Sequence, residues 1–361
     1  MPKNSDKIEE KSTEASPKLT WTLAICTYNR PHFLLRTIEF ALLQSRSPAE
    51  IVVVDASDDW DVNRDRVTME FTSTWSEVRL VYVPAKVRSL TFQRNQAMLL
   101  ATSDIVFSLD DDIYMFGNAA ENILQIYEAD DDHIVSMVAG HFASSAPGTE
   151  CALEQTVEPA SSIAGRLRIW LENKLTLDGH FVTYEEEVDR SPLPPDVRAA
   201  GASVGGLING GRTTARRKWA QETGWSELLR YYSSHEDSDF SYRMSLKGRL
   251  VHANNARFFH ADGNEGTRSR YLVNLIRVRN LMALHVLYSQ NRWRSAFRLS
   301  KSFLKFVFLY MLIDPAQKRF SFPTVRAYLF GLVQIPVFLF WPFNDFSAWY
   351  THLQEKMYGV K

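Results

Sequence analysis

The chain has 361 residues, 45% of them apolar and 23% charged, which excludes a disordered polyelectrolyte and allows a large buried core. Two widely separated cysteines, Cys26 and Cys151, exclude a disulfide framework and a cysteine-built zinc site, and suit a reducing compartment. The formal net charge of −1 hides an asymmetry: from Gly266 onward 14 Lys and Arg face 3 Asp and Glu, a net +11, while the remainder has 27 bases against 39 acids.

Residues 1–18 are polar and charge-balanced without an apolar core, which predicts a disordered lead and not a signal peptide. From there the chain alternates. "WTLAICTYN" reads as a buried strand, and "RPHFLLRTIEFALLQSR" as a helix with Pro31 near its start. "AEIVVVDAS" is a second strand ending at Asp55, "VRLVYVPA" a third, "SLTFQRNQAMLLATS" a helix, and "DIVFSLDDD" a fourth strand. Continuous apolar strands separated by helices predict an α/β fold, with a mostly parallel sheet covered on both faces. Ligands in such sheets bind beyond the carboxyl ends of the strands, where Thr27, Asp55 and Asp110 to Asp112 fall.

Neither a G-x-G-x-x-G after the first strand nor a G-x-x-x-x-G-K-[ST] is present, so a glycine-fingerprint dinucleotide site and a P-loop are not supported. Three adjacent carboxylates need a counter-charge. In an extended segment Asp110 and Asp112 point to one side, and hard oxygen ligands there suit Mn²⁺ or Mg²⁺ bridging a diphosphate.

Residues 141–200 are less regular and contain an amphipathic helix candidate, "IAGRLRIWLENKL". "GGLINGGRTTARR" combines four glycines, which allow close backbone approach, with three arginines. In "SSHEDSDFSYRM", Ser233 and Glu236 have capping-box spacing, and Phe240 and Met244 share a helix face, so Asp237 belongs in a helical first turn. His260 closes the apolar run of "ARFFHADG".

The basic tail interleaves Arg277, Arg279, Arg292, Arg294, Arg298, Lys301 and Lys305 with Leu, Phe and Trp, the profile of a helix lying in a membrane interface. Nucleic acid would explain the charge and not the apolar content. Residues 327–343 are uncharged but shorter than the ~20 residues of a normal span, which favours a re-entrant or interfacial segment.

"LAICTYNRP", "IVVVDASDD", "RNQAMLLATSDIVFSLDDD", "GGRTTARRKWAQETGWSEL" and "HEDSDFSYRMSLKGRL", in this order, resemble glycosyltransferase family 2 with the GT-A fold across about residues 20–265. The resemblance implies a catalytic domain over 19–265, with a nucleotide-binding half (19–140) and an acceptor half (141–265), followed by a helical membrane-associating region over 266–361. It implies that Thr27, Tyr28, Arg30, Asp55, Arg94, Asp110 and Asp111 contact the nucleotide-sugar. Asp110, Asp112 and His260 would hold the metal. Asp237 would be the general base of an inverting transfer, with Arg216, Arg217, Trp225 and Glu236 on the acceptor. The irregular insert would shape the acceptor pocket. "SQNRW" places Gln290 one residue too close to Arg292 and Trp293 for the Q-x-x-R-W of processive synthases, so a single sugar transfer is expected. The acceptor would be lipid-linked or a polysaccharide of the cell envelope, met at the cytoplasmic face of the membrane. Two alternatives are a sugar-1-phosphate nucleotidyltransferase, disfavoured because "CTYNRPHF" has no glycine-rich loop, and a catalytically silent membrane scaffold of the same fold.

Overall fold

The apolar runs pair as parallel strands in a computed structural model that describes residues 18–72, 77–149, 188–208, 211–231, 233–261 and 269–359. Strands β1 (Trp21–Thr27), β2 (Glu50–Asp55), β3 (Arg79–Pro84) and β4 (Ile105–Asp110) lie in the order β3-β2-β1-β4. The chain moves outward from β1 to β3 and then returns across β1 to place β4. That reversal opens a crevice between β1 and β4 at their carboxyl ends, where Cys26 stands opposite Asp110 and Thr27 opposite Asp55.

Helix α1 (Pro31–Leu42) starts at a proline, which pre-sets φ where no backbone hydrogen bond is lost, and buries Leu34, Ile38, Ala41 and Leu42 on one face. Helix α2 (Trp60–Thr72) was not expected: it is mostly polar, and only Val67, Trp60 and Phe71 reach the core. Helix α3 (Leu90–Leu100) delivers Arg94 to the crevice and buries Ala97 and Met98.

Beyond β4 the sheet becomes mixed. It continues as β8 (Arg212–Arg216), β6 (Val135–Phe142), β9 (Arg249–His260) and β5 (Ile113–Met115), with β7 (Ala202–Val204) alongside β9. β8 runs antiparallel to both β4 and β6, whereas β6 and β9 are parallel. Helices α4 (Ala119–Glu128), α5 (Pro195–Ala199), α6 (Arg217–Thr223) and α7 (Glu236–Ser245) complete this part. The lead over residues 1–17 and the helix expected in "IAGRLRIWLENKL" lie outside the described residues.

Four helices follow: α8 (Arg270–Tyr288), α9 (Arg292–Ala316), α10 (Pro323–Phe340) and α11 (Phe346–Tyr358). Their core is shared with the preceding part, since Leu229 and Tyr242 pack in one cluster with Leu281, Leu284, Phe303, Phe338 and Tyr350. α10 is long and apolar enough to cross a membrane by length and composition, but much of it is buried against its neighbours. Buried Asp314 accepts hydrogen bonds from the Thr324 N–H (3.0 Å) and hydroxyl (3.1 Å), satisfying a donor at the start of α10.

Gly331 marks the tightest approach of these helices: a Cβ there would stand 2.3 Å from Val278 Cγ1 and 3.2 Å from Phe303. Gly331→Ala is therefore expected to destabilise the fold by about 1–3 kcal/mol through overpacking, despite the better helix propensity of alanine. A urea midpoint equal to the parent's would show that α8 and α10 separate without cost.

Candidate active site

The acidic triplet does not continue β4 as an extended segment. β4 stops at Asp110, Asp111 and Asp112 form a turn, and β5 begins at Ile113. The three carboxylates consequently take different surroundings. Asp110 stays at the strand end and pairs with Arg94 at 2.8 Å. Asp112 pairs with Arg30 at 2.9 Å and faces His260, whose Nε2 lies 3.4 Å from Oδ1.

Asp111 turns inward and is 1% exposed. It accepts from the Thr27 hydroxyl at 2.7 Å and pairs with Arg30, and its backbone carbonyl accepts from Thr37 at 2.6 Å. Burial pushes its carboxyl up to about 7 against the opposing pull of Arg30. Its position is that of an anchor for Thr27 and Arg30. Asp112 is also buried, but the His260 and Arg30 side chains outweigh that burial and hold it below the usual carboxylate range.

The second set of acids arrives from α7. Arg94 is itself buried, donates to Asp237 (2.9 Å) and Glu236 (3.2 Å) through Nη1 and to Asp110 through Nη2, and lies 4.3 Å over the Trp225 ring. One guanidinium thus joins the end of β4 to the start of α7. Burial and the adjacent Asp237 charge push Glu236 up to about 7.

The turn into α7 differs from the expected capping box. Glu236 is the first helical residue, and His235 precedes it with φ of 71°, so Ser233 lies outside the cap. Tyr231, at φ 63°, is a second left-handed residue in this loop. Such conformations cost about 1–3 kcal/mol each and persist only where surrounding bonds over-determine them. Here Tyr231 N–H donates to Ser89 (2.8 Å), Asn280 donates to the Ser234 carbonyl (2.8 Å), and Arg230 N–H donates to Gln354 (2.9 Å). Tyr288 adds a hydrogen bond to Asp239 within α7. Asn280, Tyr288 and Gln354 belong to the basic C-terminal helices, which therefore hold the acid-bearing helix in place.

Tyr28 sits exposed at the rim of the crevice. Other residues expected at the site are engaged by protein groups. Asp55 is 1% exposed, and four donors already occupy its carboxylate: Ser57 N–H and hydroxyl, Asn63, and the Tyr82 hydroxyl at 2.6 Å. It organises the crevice wall from within. Trp225 is 3% exposed and stacks on Phe240 at 4.2 Å, so it supports Arg94 and offers no face to an acceptor. Arg216 and Arg217 lie at the opposite end of the sheet, because β8 runs antiparallel and Arg216 pairs with Ile105 at the start of β4. Arg216 binds Asp130 (2.7 Å), and Arg217 binds the Ser103 carbonyl (2.6 Å).

Two residues escaped the sequence reading. Gln93 donates to the carbonyls of Thr27 and Val54, both at 3.1 Å, and pins the ends of β1 and β2 together. Gly211 leaves room for Asp110: a Cβ there would come within 2.4 Å of its Oδ2. The glycine run was a visible signal, but the carboxylate it accommodates was not.

Among the described residues no three His, Cys, Asp or Glu side chains converge closely enough to hold a metal ion. The donor chemistry nevertheless fits one. Asp112 Oδ1 is buried without a hydrogen-bond partner and faces an imidazole, and Asp110 lies at the neighbouring strand end. Carboxylate oxygens with one imidazole are a ligand set suited to Mn²⁺. Five carboxyls (Asp110, Asp111, Asp112, Glu236 and Asp237) surround two guanidiniums, Arg30 and Arg94, leaving acid in excess.

The sequence profile of the family described as Glycosyl transferase family 2 matches residues 22–190. No curated protein matches the chain significantly by sequence. In structure the chain is similar to the mannosyltransferase PcManGT from Pyrobaculum calidifontis, solved with GDP-Man and Mn²⁺, at 13% identity and a TM-score of 0.50, covering 89% of this chain and 88% of that one. It is also similar to GalNAc-T7, solved with UDP, GalNAc and Mn²⁺, at 14% identity and a TM-score of 0.51 over 91% of this chain and 59% of that one. Likeness at such identity establishes a common fold, the GT-A architecture of a central sheet flanked by helices. Together with that fold, the sequence match establishes that residues 22–190, with the β1–β4 crevice and its acidic triplet, belong to glycosyltransferase family 2.

Proposed function

We propose that the protein is an inverting, divalent-metal-dependent glycosyltransferase, moving one sugar from a nucleoside-diphosphate sugar to a lipid-linked or polysaccharide acceptor at the cytoplasmic face of a membrane. The observation that carries this reading is the Arg94 bridge, which gathers the acids of β4 and α7 around one crevice. Thr27, Tyr28 and Arg30 line the nucleotide end. Asp110, Asp112 and His260 would hold Mn²⁺ or Mg²⁺. When bound, such an ion neutralises negative charge on a leaving diphosphate.

Asp237 supplies the base. Its Oδ1 is held by Arg94, which fixes the carboxylate in orientation. An acceptor hydroxyl is a weak nucleophile at neutral pH, and a positioned carboxylate takes its proton as attack proceeds. Attack from the face opposite the leaving group inverts the anomeric carbon. Glu236 shares the same guanidinium, and its raised affinity for a proton limits the repulsion between neighbouring acids.

The membrane reading rests on α9 and α10. Trp293, Phe297, Leu304, Phe308 and Met311 recur at helical spacing as an exposed apolar stripe, with Trp293 77% exposed. Arg294, Arg298 and Lys305 each follow a stripe residue by one position, and Lys301 joins them at helical spacing, setting a basic stripe beside it. Leu329, Val333, Val337 and Phe340 form a second stripe on α10, and Trp293 meets Phe340 at 4.5 Å, joining the two. A contiguous apolar face edged by cations fits an anionic membrane surface, whereas a single buried-sided helix fits a crossing poorly.

A thermal-shift series of the full chain with UDP, GDP and dTDP tests the donor site. One nucleotide is expected to stabilise the protein in a Mn²⁺-dependent manner, and Asp112→Asn to abolish that dependence; indifference of all three to Mn²⁺ would remove the reading. Asp237→Asn is expected to lower turnover by about 10²–10⁴-fold while the nucleotide shift persists, and a variant turning over at the parental rate would transfer the base role elsewhere. In sedimentation with phosphatidylglycerol vesicles, the double variant Trp293→Ser/Phe297→Ser should bind at least about tenfold more weakly. Unchanged sedimentation would place the membrane contact on another surface.

A further inference from the structure

On the flank of β4 away from the nucleotide half, three basic side chains meet without an acid among the described residues. Arg212 opens β8 opposite Leu109, directly after the glycine that packs on the Asp110 carboxylate. Its guanidinium lies 4.1 Å over the Phe142 ring, which fixes its position. Arg30, Arg94 and Arg216 are all paired with carboxylates. Arg212 makes no ion pair with any described residue; burial lowers its pKa and no anion raises it again, and its Nε is buried without a hydrogen-bond partner.

Beside it stands His252 of β9. Its partly buried position disfavours protonation, the neighbouring His141 and Arg212 charges add to this, and its Nδ1 is buried without a partner. The His141 ring, near the end of β6, lies 5.5 Å from that of His252. A half-desolvated guanidinium with no counter-ion is unfavourable by itself, and so is an orphaned imidazole nitrogen. An incoming anion would satisfy both.

We propose that Arg212, His252 and His141 form a subsite for a phosphate group carried by the acceptor. The tetrahedral arrangement of phosphate oxygens allows one group to meet a guanidinium fork and two imidazoles together. The acceptor is assigned because this cluster lies across β4 from Thr27 and Arg30, where the nucleotide end is read. The assignment to the acceptor rests on the proposed function, but the existence of the anion subsite does not. Arg216 and Arg217, the arginines expected to meet the acceptor, lie at the other end of the sheet, and Arg212 takes their place.

Titration of the full chain with inorganic phosphate, in EDTA and without nucleotide, tests the subsite by thermal shift and calorimetry. The parent is expected to bind, Arg212→Gln to bind at least tenfold more weakly, and Arg212→Lys to fall between, since it retains charge and loses the fork. Without phosphate, Arg212→Gln should melt no lower than the parent, because an uncompensated cation is removed. A parent indifferent to phosphate, or an Arg212→Gln variant that responds like the parent, overturns the proposal. Glycerol phosphate in solution and phosphatidic acid in vesicles then distinguish a soluble phosphomonoester from a lipid headgroup: Arg212-dependent binding of either supports the subsite and names its source. The Mn²⁺-dependent nucleotide shift reports separately; its loss in the parent would count against the glycosyltransferase reading and leave the phosphate result standing.

Discussion

The buried guanidinium of Arg94 is the interaction on which the site depends. A cation removed from water is costly unless its partners are close and well oriented. Three carboxylates from two separate elements meet that condition here, and a flat indole covers the remaining face. Without this cation, Asp110, Glu236 and Asp237 would repel one another, and nothing would draw the start of α7 toward the end of β4. Arg30 performs the same service for Asp111 and Asp112 at the other side of the triplet.

Two guanidiniums do not neutralise five carboxyls. The elevated proton affinities of Asp111 and Glu236 are the protein's internal answer to that excess, and a divalent cation is an external one. The same physics distinguishes the neighbouring flank. Arg212 is a basic group without an acid among the described residues, one strand pairing away from an acidic group in excess. An excess of acid and an unpaired base beside β4 suit ligands of opposite charge, a metal ion and an acceptor anion.

The C-terminal helices serve two ends at once. Their inner faces supply Asn280, Tyr288 and Gln354 to the strained loop and helix that carry Asp237. Their outer faces expose the apolar stripes of α9 and α10. Because both faces belong to the same packed helices, and Leu229 and Tyr242 share their core, whatever the outer face meets is mechanically continuous with the acid-bearing helix.

Local pattern by itself determined the parallel half of the sheet, the placement of the acids at strand ends, the helical first turn around Asp237 and the amphipathic character of the tail. Each of these depends on residues near one another in sequence: an apolar run of strand length, a proline at a helix start, a stripe at helical spacing. Helix α2 escaped because its inward face is a narrow stripe, Val67 with partly buried Trp60 and Phe71, set among polar residues. Only the tertiary structure decided which charges meet. Arg94 and Asp237 are 143 positions apart, yet they touch. Arg216 and Arg217 share a short basic segment with Arg212, but the antiparallel run of β8 sends them to the opposite end of the sheet. Asp111 and Asp112 diverge because the chain turns after Asp110, burying one carboxylate against Thr27 and turning the other toward His260. Charge pairing is set by distance through space, and a linear pattern carries no record of that distance until the strands are ordered.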